Sequence, residues 1–230
     1  MRNTPNAVMI FAAGFGTRMK ALTVDRPKPL IEVAGKPLID YALDLVDAAA
    51  IPNCVANVHY KPTALVAHLE ARGVKVSYEA SRILETGGGL KHARSLLPDG
   101  PVFTMNSDVV FRGPNPFEAL CAVWNPAKMD ALLLLVPVSS AFATSSTGDF
   151  DIDDEGTLSR GAGLIYTGLQ ILKLNTLKDI EQEVFSLNLV WNRLQAQGRL
   201  FGTSYSGKWC DVGHPEGIAV AEALLQAPDV

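Results

Sequence analysis

The sequence predicts an α/β fold: a Rossmann-like, mostly parallel sheet with helices on both faces, plus a small antiparallel portion near the C-terminus. Apolar runs alternate with helical patterns through the first two-thirds of the chain. The first run, residues 8–13, ends in glycines, which is typical of a strand buried on both faces. Residues 150–152 and 164–171 flank a turn and indicate antiparallel strands.

Each further element follows from a local pattern. Residues 37–50 predict a helix, because the apolar side chains fall on one stripe and Asp40, Asp44 and Asp47 share the opposite face. The other predicted strands are 54–58, 74–78, 102–106 and 131–138, and the other predicted helices are 63–71, 90–97, 116–124, 187–197 and 216–226. The Ser/Thr/Gly-rich residues 139–148 predict a mobile loop.

Composition limits the function classes. The chain has 230 residues, of which 48% are hydrophobic and 19% charged, so we expect one globular domain over residues 1–230. A formal net charge of −4 argues against nucleic acid or a membrane surface as partner. Three scattered cysteines, Cys54, Cys121 and Cys210, fit neither a disulfide framework nor a zinc site. With no signal peptide or membrane span evident, we expect a cytoplasmic protein; its oligomeric state cannot be read from the sequence.

The segment after the first strand suggests phosphate binding. It reads Phe11-Ala12-Ala13-Gly14-Phe15-Gly16-Thr17-Arg18-Met19, in which glycines let backbone amides approach an anion and Arg18 adds a cation. Lys28 follows between Pro27 and Pro29, which predicts extended backbone and a fixed direction for its side chain. These residues leave two alternatives open. The glycine-rich segment could be a tight turn in which Arg18 has no role, and Lys28 could be a solvated loop lysine.

Two common nucleotide-binding motifs are excluded. No Gly-Lys-Ser/Thr closes the loop, so it is not a Walker loop. Met19 stands where a dinucleotide fingerprint needs its third glycine, which argues against a Rossmann dehydrogenase.

Together these segments resemble the signature of sugar-1-phosphate nucleotidylyltransferases. That family has a Leu-Ala-Ala-Gly-x-Gly-Thr-Arg-like loop followed by Pro-Lys-Pro, and Phe11 replaces the usual leucine here. Three further segments match in the family's order, with Ser107 as a mild departure: Glu85-Thr86-Gly87-Gly88-Gly89, Asn106-Ser107-Asp108 and Trp209-Cys210-Asp211-Val212-Gly213. The resemblance spans nearly the whole chain and implies the nucleotide-diphospho-sugar transferase type of fold.

The resemblance also implies roles for individual residues. Arg18 and Lys28 would neutralise phosphate charge, and Asp108 and Asp211 would hold Mg²⁺, making these four the catalytic set. About residues 1–138 would form a nucleotide-binding half and residues 139–230 a sugar-binding half. The implied nucleotide-binding residues are Phe11, Ala12, Ala13, Gly14, Gly16, Thr17, Glu85, Gly87 and Gly88, and the sugar-side candidates are Asn106, Gly148, Asp149 and Gly168. As equal alternatives to sugar binding, Asp149 could simply start a strand and Gly168 could fill a tight packing position.

The implied reaction joins a nucleoside triphosphate, UTP or GTP, to a sugar 1-phosphate and releases pyrophosphate. The segments Leu84 to Gly89 and Gly148-Asp149-Phe150, with the short length, are most similar to bacterial N-acetylmuramate-1-phosphate uridylyltransferases of cell-wall recycling. Mannose-1-phosphate guanylyltransferase is the near alternative. A catalytically silent nucleotide-sugar-binding regulatory subunit is the alternative of another class, and loss of a charged residue from the catalytic set would have favoured it.

Overall fold

The computed structural model describes residues 4–227. Its strands are β1 Ala7–Phe11, β2 Glu32–Val33, β3 Lys36–Pro37, β4 Asn53–Val58, β5 Lys75–Tyr78, β6 Pro101–Asn106, β7 Val109–Arg112, β8 Ala131–Pro137, β9 Ala141–Phe142, β10 Phe150–Ile152, β11 Leu158–Arg160, β12 Leu164–Lys173, β13 Leu200–Ser204 and β14 Lys208–Asp211. Its α-helices are α1 Leu38–Ala48, α2 Pro62–Ala71, α3 Glu85–His92, α4 Pro116–Val123, α5 Asn188–Ala196 and α6 Pro215–Gln226. No helix within this part of the chain has both the length and the apolar character that a bilayer crossing requires.

The main sheet confirms the predicted fold class. Four strands run parallel in the order β5, β4, β1 and β6. Beyond β6 the direction reverses, because β12 pairs antiparallel with both β6 and β8, while β13 lies parallel to β8. Strand β12 therefore joins the predicted halves, residues 1–138 and 139–230, in one continuous sheet.

Strand β1 shows why the sheet is buried on both faces. Val8 and Ile10 belong to one apolar cluster with residues of α1, α2 and α4. Ala7 and Met9 belong to the opposite cluster, with residues of α3 and α5. Full burial of a side chain such as Ile10 stabilises the fold by about 1.5–3 kcal/mol, so the alternation fixes the register of this strand.

A second sheet, in the order β7, β14 and β9, carries α6 against it. The sequence patterns missed all three of its strands, which are only two to four residues long. Residues 141–142 also lie within the predicted mobile loop, and they form β9 instead, because they pair with Trp209 and Cys210 of β14. This small sheet brings the end of β14 beside the loop that follows β6.

Candidate active site

The loop after β1 has the features of an anion-binding turn. Within the described part of the chain, the backbone N–H groups of residues 13–18 form no hydrogen bond. Gly16 has a φ of +65°, and a Cβ atom built on it would lie 2.8 Å from Lys28 Cβ. Backbone conformation and close packing therefore both require glycine there. Grouped amides of this kind are suited to binding phosphate oxygens.

Two cations flank the loop. Lys28 is only 8% exposed, and its Nζ lies 2.5 Å from Asp108 Oδ2. The prediction of extended backbone at Lys28 is wrong: Lys28–Leu30 form a 3-10 turn closed by a hydrogen bond to the Pro27 carbonyl, and only Pro27 is extended. Arg18 is exposed and forms no ion pair within residues 4–227. Its guanidinium group is therefore available to an incoming anion.

Asp108 and Asp211 come together through the small sheet. Strand β14 pairs antiparallel with β7, which sets Asp211 opposite Val109. The N–H of Val212 donates to the carbonyl of Asp108 at 2.9 Å. Two carboxylates far apart in sequence therefore lie at one position in the fold.

The electrostatics of this carboxylate pair favour a cation. Burial raises the pKa of Asp211 above its ordinary value, and the charge of Asp108 raises it further, while Lys28, Arg18 and His214 act in the opposite direction. Hard carboxylate oxygens are the ligands that Mg²⁺ prefers, so the pair fits that ion chemically. The described residues hold no cluster of three or more metal-ligating side chains. Phosphate and water oxygens would have to complete the coordination shell.

Arg18, Lys28 and Asp108 line a cleft made of two adjoining cavities. Asp211 is not among the lining residues and lies behind Gly213, on which a Cβ would be 3.0 Å from Asp211 Oδ2. One cavity has a volume of about 210 Å³ and the other about 220 Å³, and both are lined by Phe11, Gly14 and Asp108. The first is completed by Ala12, Gly16, Thr17, Arg18, Lys28, Pro29, Ser107 and Gly213, and the second by Ala13, Asn57, Ile83, Glu85, Thr86 and Asn106. The cleft thus lies beyond the carboxyl ends of β1, β4 and β6, where open α/β sheets bind their ligands.

A larger cavity lies elsewhere and holds none of the predicted site residues. Its volume is about 800 Å³, and its lining includes Lys91, Pro101 and Lys173. Pro101 begins β6, so this cavity lies toward the amino ends of the parallel strands. We therefore take the cleft as the candidate site because charged side chains converge on it, and not because of its volume.

The Gly-rich turn differs from its predicted form. Helix α3 begins at Glu85, not at residue 90, so Gly87 and Gly88 lie in its first turns. Their N–H groups donate to the Phe185 carbonyl at 2.9 and 3.0 Å. A Cβ on Gly87 would overlap the Phe185 ring, and one on Gly88 would meet the Glu183 carbonyl oxygen. Packing explains both glycines, neither lines the cleft, and their nucleotide-binding role stays a prediction.

The four sugar-side candidates separate in the structure. Asn106 lines the cleft. Gly168, with a φ of +85°, lies against Asn106, because a Cβ on Gly168 would fall 2.8 Å from Asn106 Nδ2. Gly148 packs on the backbone of Ala162, and Asp149 Oδ2 accepts a hydrogen bond from the N–H of Tyr166 at 2.8 Å. The structure gives Gly148, Asp149 and Gly168 packing roles, and their sugar-binding roles stay predictions.

Some cleft residues were missed by the sequence patterns. Asn57 is a polar residue near the carboxyl end of the buried strand β4, and that position was the available signal. Ser107 interrupts the motif before Asp108; its Oγ donates to the Phe11 carbonyl at 2.7 Å and fixes the end of β6 to β1. Gly213 admits Arg18, because a Cβ on it would lie 3.0 Å from Arg18 Nη1.

Comparison with known proteins assigns the family. Residues 8–140 match the family described as the MobA-like NTP transferase domain, and this match contains the glycine-rich loop, Lys28 and Asp108. The chain belongs to this family. As a MobA-like NTP transferase it is a nucleotidyltransferase, and the resemblance inferred from the motifs is confirmed.

Two relatives and one solved structure describe what this NTP transferase is similar to. It is 41% identical to N-acetylmuramate alpha-1-phosphate uridylyltransferase of Caulobacter vibrioides, covering 98% of this chain and 99% of that protein. It is 28% identical to mannose-1-phosphate guanyltransferase of Emericella nidulans, covering 94% of this chain but 63% of that protein. The inositol-1-phosphate CTP transferase structure from T. maritima covers all of both chains at a TM-score of 0.79 and 15% identity, which shows a shared fold.

Proposed function

We propose that this chain transfers the uridylyl group of UTP to N-acetylmuramate α-1-phosphate and releases pyrophosphate. The observation that carries the choice of substrates is the 41% identity over nearly both full lengths to a relative of that name. We further propose that the reaction occurs in the cytoplasm, where nucleoside triphosphates are supplied, and serves cell-wall recycling.

Charge neutralisation is the main task of the cleft. Both substrates are anions, and two unit charges about 4 Å apart in a surface-like medium repel by about 4 kcal/mol. The N–H groups of residues 13–18 and the exposed guanidinium group of Arg18 would receive the triphosphate. Lys28 would meet the α-phosphate and the incoming sugar phosphate. Gly14, Gly16, Thr17, Arg18 and Lys28 line the same cavity of the cleft, which supports their action on one ligand.

Asp108 and Asp211 would hold Mg²⁺, with Mn²⁺ as a substitute. When bound, such an ion neutralises phosphate oxygens and offsets the repulsion between the substrates. The pair of carboxylates and the raised pKa of Asp211 support this assignment, because a buried carboxylate beside another one is stabilised by a cation.

The chemical step requires no general base. The attacking oxygen of the sugar 1-phosphate is already ionised; it forms a bond to the α-phosphorus while the bond to the bridging oxygen breaks and pyrophosphate leaves. Catalysis therefore comes from in-line positioning and electrostatic stabilisation. We assign no catalytic role to His59, His68, His92 or His214.

Residues 139–230 would provide the sugar-binding half. Asn106 lies at the cleft and Gly168 beside it, so these two support a sugar position next to Asp108. Gly148 and Asp149 would act from further out, because Asp149 holds the backbone of Tyr166 in strand β12.

A second candidate is GTP with mannose 1-phosphate, favoured by the 28% identity to guanylyltransferases. Choice of base depends on a few hydrogen bonds, so the pairing must be measured. Pyrophosphate release should be assayed for UTP, GTP, CTP and dTTP against N-acetylmuramate, N-acetylglucosamine and mannose 1-phosphates. We expect the highest kcat/KM with UTP and N-acetylmuramate 1-phosphate. Turnover confined to GTP and mannose 1-phosphate would overturn the proposal, and no turnover with any pair would favour a silent binding subunit.

A further inference from the structure

Two buried polar side chains outside the predicted site join opposite walls of the cleft. Asn57 is 3% exposed and Glu79 is 2% exposed. The N–H of Ala12 donates to Asn57 Oδ1 at 2.8 Å, and Asn57 Nδ2 donates to Glu79 Oε1 at 2.6 Å. The N–H of Leu84 then donates to Glu79 Oε2 at 2.7 Å. The result is a continuous chain of hydrogen bonds from Ala12 to Leu84.

The two ends of this chain lie at functional positions. Ala12 begins the glycine-rich loop, and its bonded N–H directly precedes the N–H groups of residues 13–18, which form no hydrogen bond within the described part of the chain. Leu84 directly precedes Glu85 and Thr86, which line the other cavity of the cleft. The distance between the glycine-rich loop and the start of α3 is therefore set by Asn57 and Glu79.

The packing leaves this pair little freedom. A Cβ atom on Gly89 would fall 2.7 Å from Glu79 Oε1 and 2.8 Å from Asn57 Nδ2, so α3 lies directly against the pair. The backbone of Glu79 is also held, because its N–H donates to the Val58 carbonyl at 2.9 Å. A buried carboxylate must be satisfied by donors, and both of its oxygens are satisfied here.

We propose that Asn57 and Glu79 are positioning residues that set the width of the nucleotide cleft. The Asn57 amide has one orientation that satisfies every partner, because Ala12 offers a donor and the Glu79 carboxylate offers acceptors. A change in the orientation of the Asn57 amide would shift the glycine-rich loop relative to Glu85 and Thr86. The effect reaches a bound nucleotide through those two segments, and so the inference rests on the proposed function.

A reciprocal exchange tests the pair. In Asn57→Asp two carboxylates would face each other, and in Glu79→Gln the new amide group would set a donor against a donor, so each single variant breaks the chain at one junction. The double variant restores every bond with the middle one reversed. The carboxylate introduced at position 57 accepts from Ala12, the amide nitrogen introduced at position 79 donates to that carboxylate, and the amide oxygen at position 79 accepts from Leu84.

The readout is the KM for the nucleoside triphosphate, which does not depend on the fraction of protein that is folded. We expect each single variant to raise this KM about tenfold or more, and the double variant to return to within about threefold of wild type. Unchanged KM values in the single variants, with only a lower melting temperature, would overturn the proposal. If the single variants do not fold, the double variant alone tests the proposal. A folded double variant with a raised KM for the nucleoside triphosphate would then overturn it. Calorimetric titration of wild type with UTP and GTP serves as the reference, since failure of wild type to bind either would instead count against the proposed function.

Discussion

Lys28 Nζ lies 2.5 Å from Asp108 Oδ2, so the cation predicted to meet phosphate is paired with a carboxylate predicted to hold metal. Both side chains are largely shielded from solvent, which strengthens the attraction between them. If Asp108 holds the proposed Mg²⁺, the ion and the ammonium group would compete for one oxygen atom of that carboxylate. A bound ion would then weaken this pair and free the Lys28 ammonium group for the phosphates of the substrates.

Replacing Lys28 should separate metal binding from turnover. We expect Lys28→Met to bind Mn²⁺ roughly tenfold more tightly than wild type, a change of about 1.4 kcal/mol, because the competitor is gone. Turnover should fall at least about 100-fold. Electron paramagnetic resonance titration measures the first effect and pyrophosphate release the second. Lys36→Met is the matched control, since Lys36 pairs with Asp44 outside the cleft; equal Mn²⁺ affinity in all three proteins would refute the competition.

Removing either carboxylate should abolish most activity without unfolding the chain. We expect Asp108→Asn and Asp211→Asn each to lower kcat by at least about 100-fold. Asp211→Asn should also raise the free energy of unfolding at neutral pH, because burial and Asp108 both disfavour the charged form of Asp211. The exposed turn residue Asp154 provides the control variant Asp154→Asn. Near-normal turnover in Asp108→Asn or in Asp211→Asn would remove that residue from the mechanism.

Glu85 holds a strained backbone at the cleft. Its φ is +61°, a left-handed conformation that glycine adopts without strain, and the residue lines the cavity. We expect Glu85→Gly to raise the free energy of unfolding by up to about 1 kcal/mol while weakening nucleotide affinity several-fold. Ala50→Gly, at a φ of +50° outside the cleft, should raise stability alone. Chemical unfolding and calorimetric nucleotide titration measure the two effects, and a Glu85→Gly variant that binds as tightly as wild type would contradict the prediction.

Replacing Gly16 tests the packing of the glycine-rich loop after β1. Gly16→Ala forces a Cβ to within 2.8 Å of Lys28 Cβ at a φ of +65°, so we expect it to lower both stability and turnover. Gly35→Ala is the control, because Gly35 has a φ of +74° with no atom within 4 Å of the added Cβ. In Gly35→Ala the free energy of unfolding should fall only by the cost of a left-handed alanine, about 1–2 kcal/mol, and kcat should not change. Equal kinetic effects in the two variants would show that the contact with Lys28 does not matter.

Asp130 should make stability depend on pH. The bidentate hydrogen bond from Arg199, aided by Lys173, holds the pKa of Asp130 below its ordinary value against the effect of burial. Since the folded-state pKa is lowered, this contribution is present at neutral pH and is lost as the pH falls through that pKa. Asp130→Asn should therefore cost about 1–2 kcal/mol at pH 7, with the difference from wild type shrinking below about pH 4. Urea unfolding across this pH range provides the measurement, and a difference that is constant with pH would contradict the assignment.

Local patterns determined much of this molecule. The apolar alternation of β1 and the stripe of α1 follow from side-chain periodicity, and both elements lie within two residues of their predicted bounds. The motifs at residues 11–19 and 27–30 predicted residues that line one cavity of the cleft, because glycine permits tight turns and proline restricts the backbone, although the extended backbone expected at Lys28 is wrong. The pairing of Asp108 and Asp211 was expected only from the family resemblance, since nothing in either local sequence specifies the other.

Tertiary structure decided the remaining features. Asp211 meets Asp108 because two four-residue strands, β7 and β14, pair across the chain, and such short strands carry no readable period. Asn57 and Glu79 become a connection between the cleft walls only when β4, β5 and α3 pack together. The start of α3 at Glu85 depends on the contact of Gly87 and Gly88 with Phe185, which overrides the low helix propensity of three glycines. Periodicity and backbone restriction act within a few residues, whereas these contacts join segments that only the packed sheet brings together.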